Sequence, residues 1–93
     1  MPVTMILGQN DHVKTRASNL SEGGMAVQLK RKLPPDAVIK LHFTLPATNN
    51  SIETRATVAW ADGAGRAGLK FRDVPQISRE HLERWLLTQI DKL

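Results

Sequence analysis

Apolar and polar residues alternate with a period of two through most of the chain, and the period changes near residue 76. The clearest run is 37–45, where Ala37, Ile39, Leu41, Phe43 and Leu45 oppose Val38, Lys40, His42 and Thr44. Two shorter runs behave alike. In 12–17, Val13, Thr15 and Ala17 oppose His12, Lys14 and Arg16; in 25–30, Met25, Val27 and Leu29 oppose Ala26, Gln28 and Lys30. A long strand is predicted over 51–61, with Ile52, Thr54, Ala56, Val58 and Trp60 on one face. Another is predicted over 66–72, where Ala67, Leu69 and Phe71 share a face. Residues 2–8, rich in Val, Thr, Ile and Leu, complete six strands.

Between the strands stand turn-forming residues: Gly8-Gln9-Asn10-Asp11, the stretch from Ser18 to Gly24, the pair Pro34-Pro35, residues 46–50, and Asp62-Gly63-Ala64-Gly65. Beyond residue 76, Leu82, Trp85, Leu86, Ile90 and Leu93 fall on one helical stripe, which predicts a helix over about 76–92. Pro75 and Ser78 supply start signals, with Glu80 expected in the first turn and Lys92 in the last. Six antiparallel strands with one apolar face each are best closed into a barrel, because closure leaves no exposed edge. The helix then covers the barrel mouth or its outer wall. The expected architecture is therefore mostly β, a six-stranded antiparallel barrel with a C-terminal helix, in a single domain spanning 1–93.

Composition narrows the chemistry. With 93 residues there is room for one core. The chain has no cysteine, which removes disulfides and thiolate metal sites. No apolar run reaches the roughly 18 residues of a membrane span, so a cytoplasmic protein without membrane insertion is expected. A net charge of +4 favours anionic partners. His12, His42 and His81 have no serine, cysteine or paired carboxylate beside them in a known motif, and no zinc spacing. Neither an enzyme nor a cofactor is expected. Trp60 and Trp85 could each stack on a guanine, but both share faces with apolar residues and are expected in the core. With aromatic content of 4%, stacking platforms for single-stranded nucleic acid are few, and nucleic acid is not an expected partner.

One turn stands out. In Asn19-Leu20-Ser21-Glu22-Gly23-Gly24, Asn19 offers a donor and an acceptor to a purine edge, and Ser21 a hydroxyl to a phosphate. Gly23 and Gly24 allow unusual backbone angles and a close approach of N–H groups to an anion. The same residues also make an ordinary β-turn. Lys14 and Arg16, outward on the strand feeding this turn, are candidates for auxiliary phosphate contacts. The alternative is that they, with Lys30, Arg31 and Lys32, are solvated surface charge.

This turn resembles the (Asp/Asn)-x-Ser-x-x-Gly signature of the PilZ domain family. A second match is the passage from Thr57-Val58-Ala59-Trp60 to Gly65-Arg66-Ala67-Gly68-Leu69-Lys70-Phe71, which looks like the family's closing hairpin. The resemblance implies a β-barrel that binds cyclic di-GMP without catalysis, with Asn19, Ser21, Gly23 and Gly24 in the ligand site. It also implies a protein partner that reads the bound state. The family's other binding element is an Arg-x-x-x-Arg motif ahead of the first strand, and no two arginines stand four apart in these 93 residues. Either that element lies upstream, or the domain is an adaptor of the same fold that does not take the nucleotide.

Overall fold

In the computed structural model, which describes residues 1–8, 10–29, 33 and 37–90, the alternating segments form strands. These are β1 (Pro2–Leu7), β2 (Asp11–Ser18), β3 (Gly24–Gln28), β4 (Val38–Thr44), β5 (Ser51–Ala61) and β6 (Arg66–Arg72). A helix, α1, spans Gln76–Ile90. The strands close into an antiparallel barrel in the order β1-β2-β3-β6-β5-β4, with β4 returning to β1 through the pairs Thr4↔His42 and Met5↔Leu41. Expected and observed strand bounds agree to within two residues, and β5 and β6 coincide with the expectation. The expected positions of Lys30, Arg31, Lys32, Pro34, Pro35, Lys92 and Leu93 lie outside the described residues, as does the side chain of Ile90.

The inward positions of β4 make the pattern plain: Ile39, Leu41 and Phe43 are at most 2% exposed while their neighbours face water. They meet Met5, Met25, Val27, Ile52, Ala56 and Leu69 in one interior cluster. Phe43 and Phe71 stack across it with ring centroids 6.3 Å apart. Thr54, the polar residue among them, is satisfied because its hydroxyl donates to the carbonyls of Arg72, at 3.1 Å, and Arg55, at 3.2 Å.

Antiparallel order collects the β2–β3 turn, the β4–β5 turn, the start of β1 and the end of β6 at one end of the barrel. The helix closes that end. Leu82 is 1% exposed and belongs to the interior cluster, with Trp85 and Leu86 half-buried against it. The Trp85 Nε1–H donates to the Pro46 carbonyl at 3.0 Å, tying the helix to the β4–β5 turn. The helix begins at Gln76, where the sequence pattern expects it. The Pro75 carbonyl accepts the first intrahelical bond from the Arg79 N–H at 2.9 Å, so Ser78 is a buried position inside the first turn. Glu80 therefore falls beyond the first turn, which carries no acidic residue.

The β5–β6 hairpin is held by Asp62. Its Oδ1 accepts the N–H groups of Ala64 and Arg66, each at 2.9 Å. The bond from Arg66 is the largest cause holding its carboxyl below the ordinary value of 3.8, and the Ala64 N–H and the Arg66 charge act in the same direction. A depressed carboxylate stabilises the fold above its unfolded-state pKa, and the gain disappears as pH falls through the folded-state value. Asp62→Ala is accordingly expected to lower the melting temperature at neutral pH. The difference should shrink in acid, from near pH 4 downward. Thermal melts of both proteins from pH 7 to pH 2 check it; a difference that stays constant with pH refutes it.

Candidate functional site

The turn singled out in the sequence is built into the barrel by packing and hydrogen bonds. Leu20 packs against the interior cluster from above, anchoring the loop. The Ser21 N–H donates to the Gly24 carbonyl at 2.9 Å, and the Ser21 hydroxyl reaches the same oxygen at 3.3 Å. On the other side, the Phe71 N–H donates to the Gly23 carbonyl at 2.9 Å, which fastens the turn to β6. Asn19 has a φ of 53°. That left-handed conformation suits asparagine and glycine, and disfavours most other residues.

The glycines serve another purpose than expected. Neither Gly23 nor Gly24 has a positive φ, and the left-handed residue of the turn is Asn19. Gly24 is needed for packing: a Cβ there would lie 2.1 Å from the Leu69 carbonyl oxygen on β6. Gly23 has open space where its Cβ would stand.

Trp60 also departs from expectation. It is 48% exposed and lies on the outer wall, opposite to the core placement its parity implies. The cause is an irregularity in β5. The register of β5 on β6 shifts between Val58 and Trp60, so that Val58 pairs with Leu69 and Trp60 with Gly68. An extra residue reverses the side-chain parity beyond it. The Trp60 ring then lies flat enough on Gly68 that a Cβ at that glycine would sit 2.1 Å from Nε1. Ala26, which pairs with Gly68 from the other side, faces outward as expected yet is only 5% exposed, because it sits in the row that this ring overlies.

These features meet in one groove of about 420 Å³ on the outer wall. Asn19, Ser21, Gly23 and Gly24 line it from the turn; Trp60 lines it from β5; Gly68 and Lys70 line it from β6. Lys70 is exposed and pairs with Gly24 across the sheet. The two outward cations of β2 do not line the groove. Lys14 borders a separate depression with Pro2, Thr4 and His42, and Arg16 is exposed on the wall of β2. The sequence thus singles out the turn, expects Trp60 in the core, and gives no sign of Lys70. The signal was present in the glycine opposite Trp60, but is readable only once register is known.

The groove combines an aromatic face, a cation, an amide and a hydroxyl, a set that suits a purine carrying phosphate. The ordinary carboxylate, imidazole and thiol constellations of enzymes are missing from it, and among the described residues no three potential metal ligands cluster. His12 and His42 are exposed, as their outward positions imply, and His42 Nε2 lies 4.0 Å from Glu53. No helix among the described residues is long and apolar enough to cross a membrane.

The family profile of the PilZ domain matches residues 1–88, from β1 nearly to the end of α1. The chain belongs to the PilZ domain family. The PilZ fold is a cyclic di-GMP receptor-type signalling fold, and its members are in general non-catalytic binding or regulatory modules. Among solved structures, the Bacillus subtilis inhibitor of motility MotI/DgrA superposes with a TM-score of 0.79 at 22% identity, covering 98% of this chain. This chain spans 47% of that protein's length. The PilZ domain of CeSA from a cellulose-synthesizing bacterium superposes with a TM-score of 0.71 at 19% identity, covering 95% of this chain and 90% of its own. At such identities the likeness speaks for the fold. No curated protein sequence matches the chain.

Proposed function

We propose that this PilZ domain is a non-catalytic cytoplasmic receptor for cyclic di-GMP, whose bound state is read by a protein partner. The observation that carries the reading is the convergence of Asn19, Ser21, Trp60 and Lys70 on one groove. Trp60 offers a stacking face to a guanine, and the Asn19 amide pairs with the base edge. Lys70 and the Ser21 hydroxyl hold the phosphates, the serine exchanging its long bond within the turn for a charge-assisted one. Lys14 and Arg16 stand outside the groove and take no direct part. The Met1 carbonyl accepts the Ala17 N–H at 2.8 Å, so a segment joined ahead of β1 emerges two residues from Asn19, within reach of the ligand.

In these 93 residues no two arginines stand four apart, and for this stretch alone the expected affinity is reduced accordingly. Each lost charge-assisted contact costs about 1.5–3 kcal/mol, and two amount to roughly a hundredfold or more. Calorimetry on the 93-residue chain is expected to give a Kd on the order of 10–100 μM. Ser21→Ala and Gly68→Ala should each weaken binding at least about tenfold with the fold retained, the second because its methyl group displaces the Trp60 ring. Asn19→Gly tests the amide without straining the left-handed backbone, which Asn19→Ala would do. A second reading rests on the absence of paired arginines, and describes a protein-binding adaptor that takes no nucleotide. No heat with cyclic di-GMP at about millimolar concentration would decide for it.

A further inference from the structure

A second feature of the outer wall is independent of the groove at the turn. The register places Lys40 of β4 opposite Arg55 of β5, and Arg55 opposite Arg72 of β6. All three side chains are exposed on the same face, in one row across three strands. Neighbouring strands lie about 4.8 Å apart, so the row is roughly 10 Å long. Like charges directly opposite one another in a sheet are destabilising. Among the described residues none of the three meets a carboxylate within 4.0 Å, and Arg72 instead donates from Nε to the Thr57 hydroxyl at 3.3 Å. The fold therefore holds three mutually repelling cations side by side, none of them in a described ion pair.

Beside the row lies a groove of about 440 Å³, lined by Lys40 and Arg55 and bordered by Ile6 and Pro75. Its edge toward the helix carries two carboxylates, Glu53 and Asp73. We propose that this wall docks an acidic segment of a protein partner, whose carboxylates face Lys40, Arg55 and Arg72. The bordering acids determine the class of partner. A polyphosphate backbone or a plane of anionic headgroups would press its charge against Glu53 and Asp73 as well as against the cations. A peptide places acidic residues over the row and a neutral or basic residue over the acids, and the apolar rim accepts a side chain. The row itself holds no aromatic residue on which a base could stack.

The test uses the whole chain and a hexaglutamate peptide as probe, followed by amide chemical shifts at low salt. Shifts are expected to concentrate at residues 38–41, 53–57 and 70–73, and to be small at residues 12–16. The double variant Lys40→Glu/Arg55→Glu should weaken binding about tenfold. Lys14→Glu/Arg16→Glu, which carries the same net charge, should change it less than about twofold. The milder Lys40→Gln/Arg55→Gln pair, expected to weaken binding about threefold, keeps the test open if charge reversal disturbs folding. Glu53→Gln should tighten binding. Equal losses in the two reversed pairs, or shifts spread over every cation, would overturn the proposal. So would tighter binding at this wall by oligothymidylate or phosphatidylserine vesicles than by the peptide.

Discussion

Gly24→Ala will destabilise the domain by about 3 kcal/mol or more, while Gly23→Ala, one residue away, will change stability by less than about 0.5 kcal/mol. The difference comes from what each new methyl group meets. At position 24 it would stand 2.1 Å from the Leu69 carbonyl oxygen, which is backbone in the middle of β6. A side chain could rotate away; a strand held in the barrel cannot. Relief requires β3 and β6 to separate where Gly24 pairs with Lys70, and that seam also closes the barrel. At position 23 the methyl group enters open space, and the backbone there is not left-handed. Total stability of a small domain is about 5–15 kcal/mol, so the first substitution removes a large share. Urea unfolding of the three proteins measures it, and similar midpoints for both variants would refute the packing role given to Gly24.

The second large effect is expected at the helix. Leu82→Ala should cost about 2–5 kcal/mol, the usual range for emptying a buried leucine site. Leu82 is 1% exposed and inserts into the cluster formed by the inward faces of the strands. Truncation leaves a cavity at the barrel end and removes the main apolar anchor of α1. The remaining ties are the half-buried Trp85 and Leu86 and the bond from Trp85 to the Pro46 carbonyl. By contrast, Leu87 is 62% exposed on the same helix, and Leu87→Ala should cost less than about 0.5 kcal/mol. Thermal denaturation separates the two. Equal effects would mean that the helix does not seal the barrel.

These effects also indicate how far the sequence could be read. Strand β4 is legible because burial on one side alone forces strict alternation; β6 keeps that alternation in its large apolar side chains, Leu69 and Phe71, although Gly68 is buried as well. Asn, Ser and Gly make ordinary turns too, and this one stands out because its spacing matches the family signature and a second match follows at Trp60 to Phe71. Trp60 departs from its expected place because an irregularity in register adds a residue without leaving a mark in the pattern of apolar positions. Its parity with Ile52 and Ala56 pointed inward, and only the pairing with Gly68 shows the reversal. Lys70 carries no signal in the sequence for a related reason. It is an ordinary outward residue until β6 is known to lie beside β3, which brings it opposite Gly24. Of the two start signals, Pro75 is the one that acts, since its carbonyl accepts the first intrahelical bond, while Ser78 lies inside the first turn.

The chain contains two tryptophans, and the fold has put them in unlike places: Trp60 half in water at the groove, Trp85 against the barrel end with its N–H bonded. The protein thus carries two intrinsic fluorophores, each tied to a different event. In a Trp85→Phe background, emission from Trp60 would report occupancy of the groove. In a Trp60→Phe background, emission from Trp85 would report undocking of the helix. Ligand binding and loss of the C-terminal seal could then be followed separately in one molecule, with no added label.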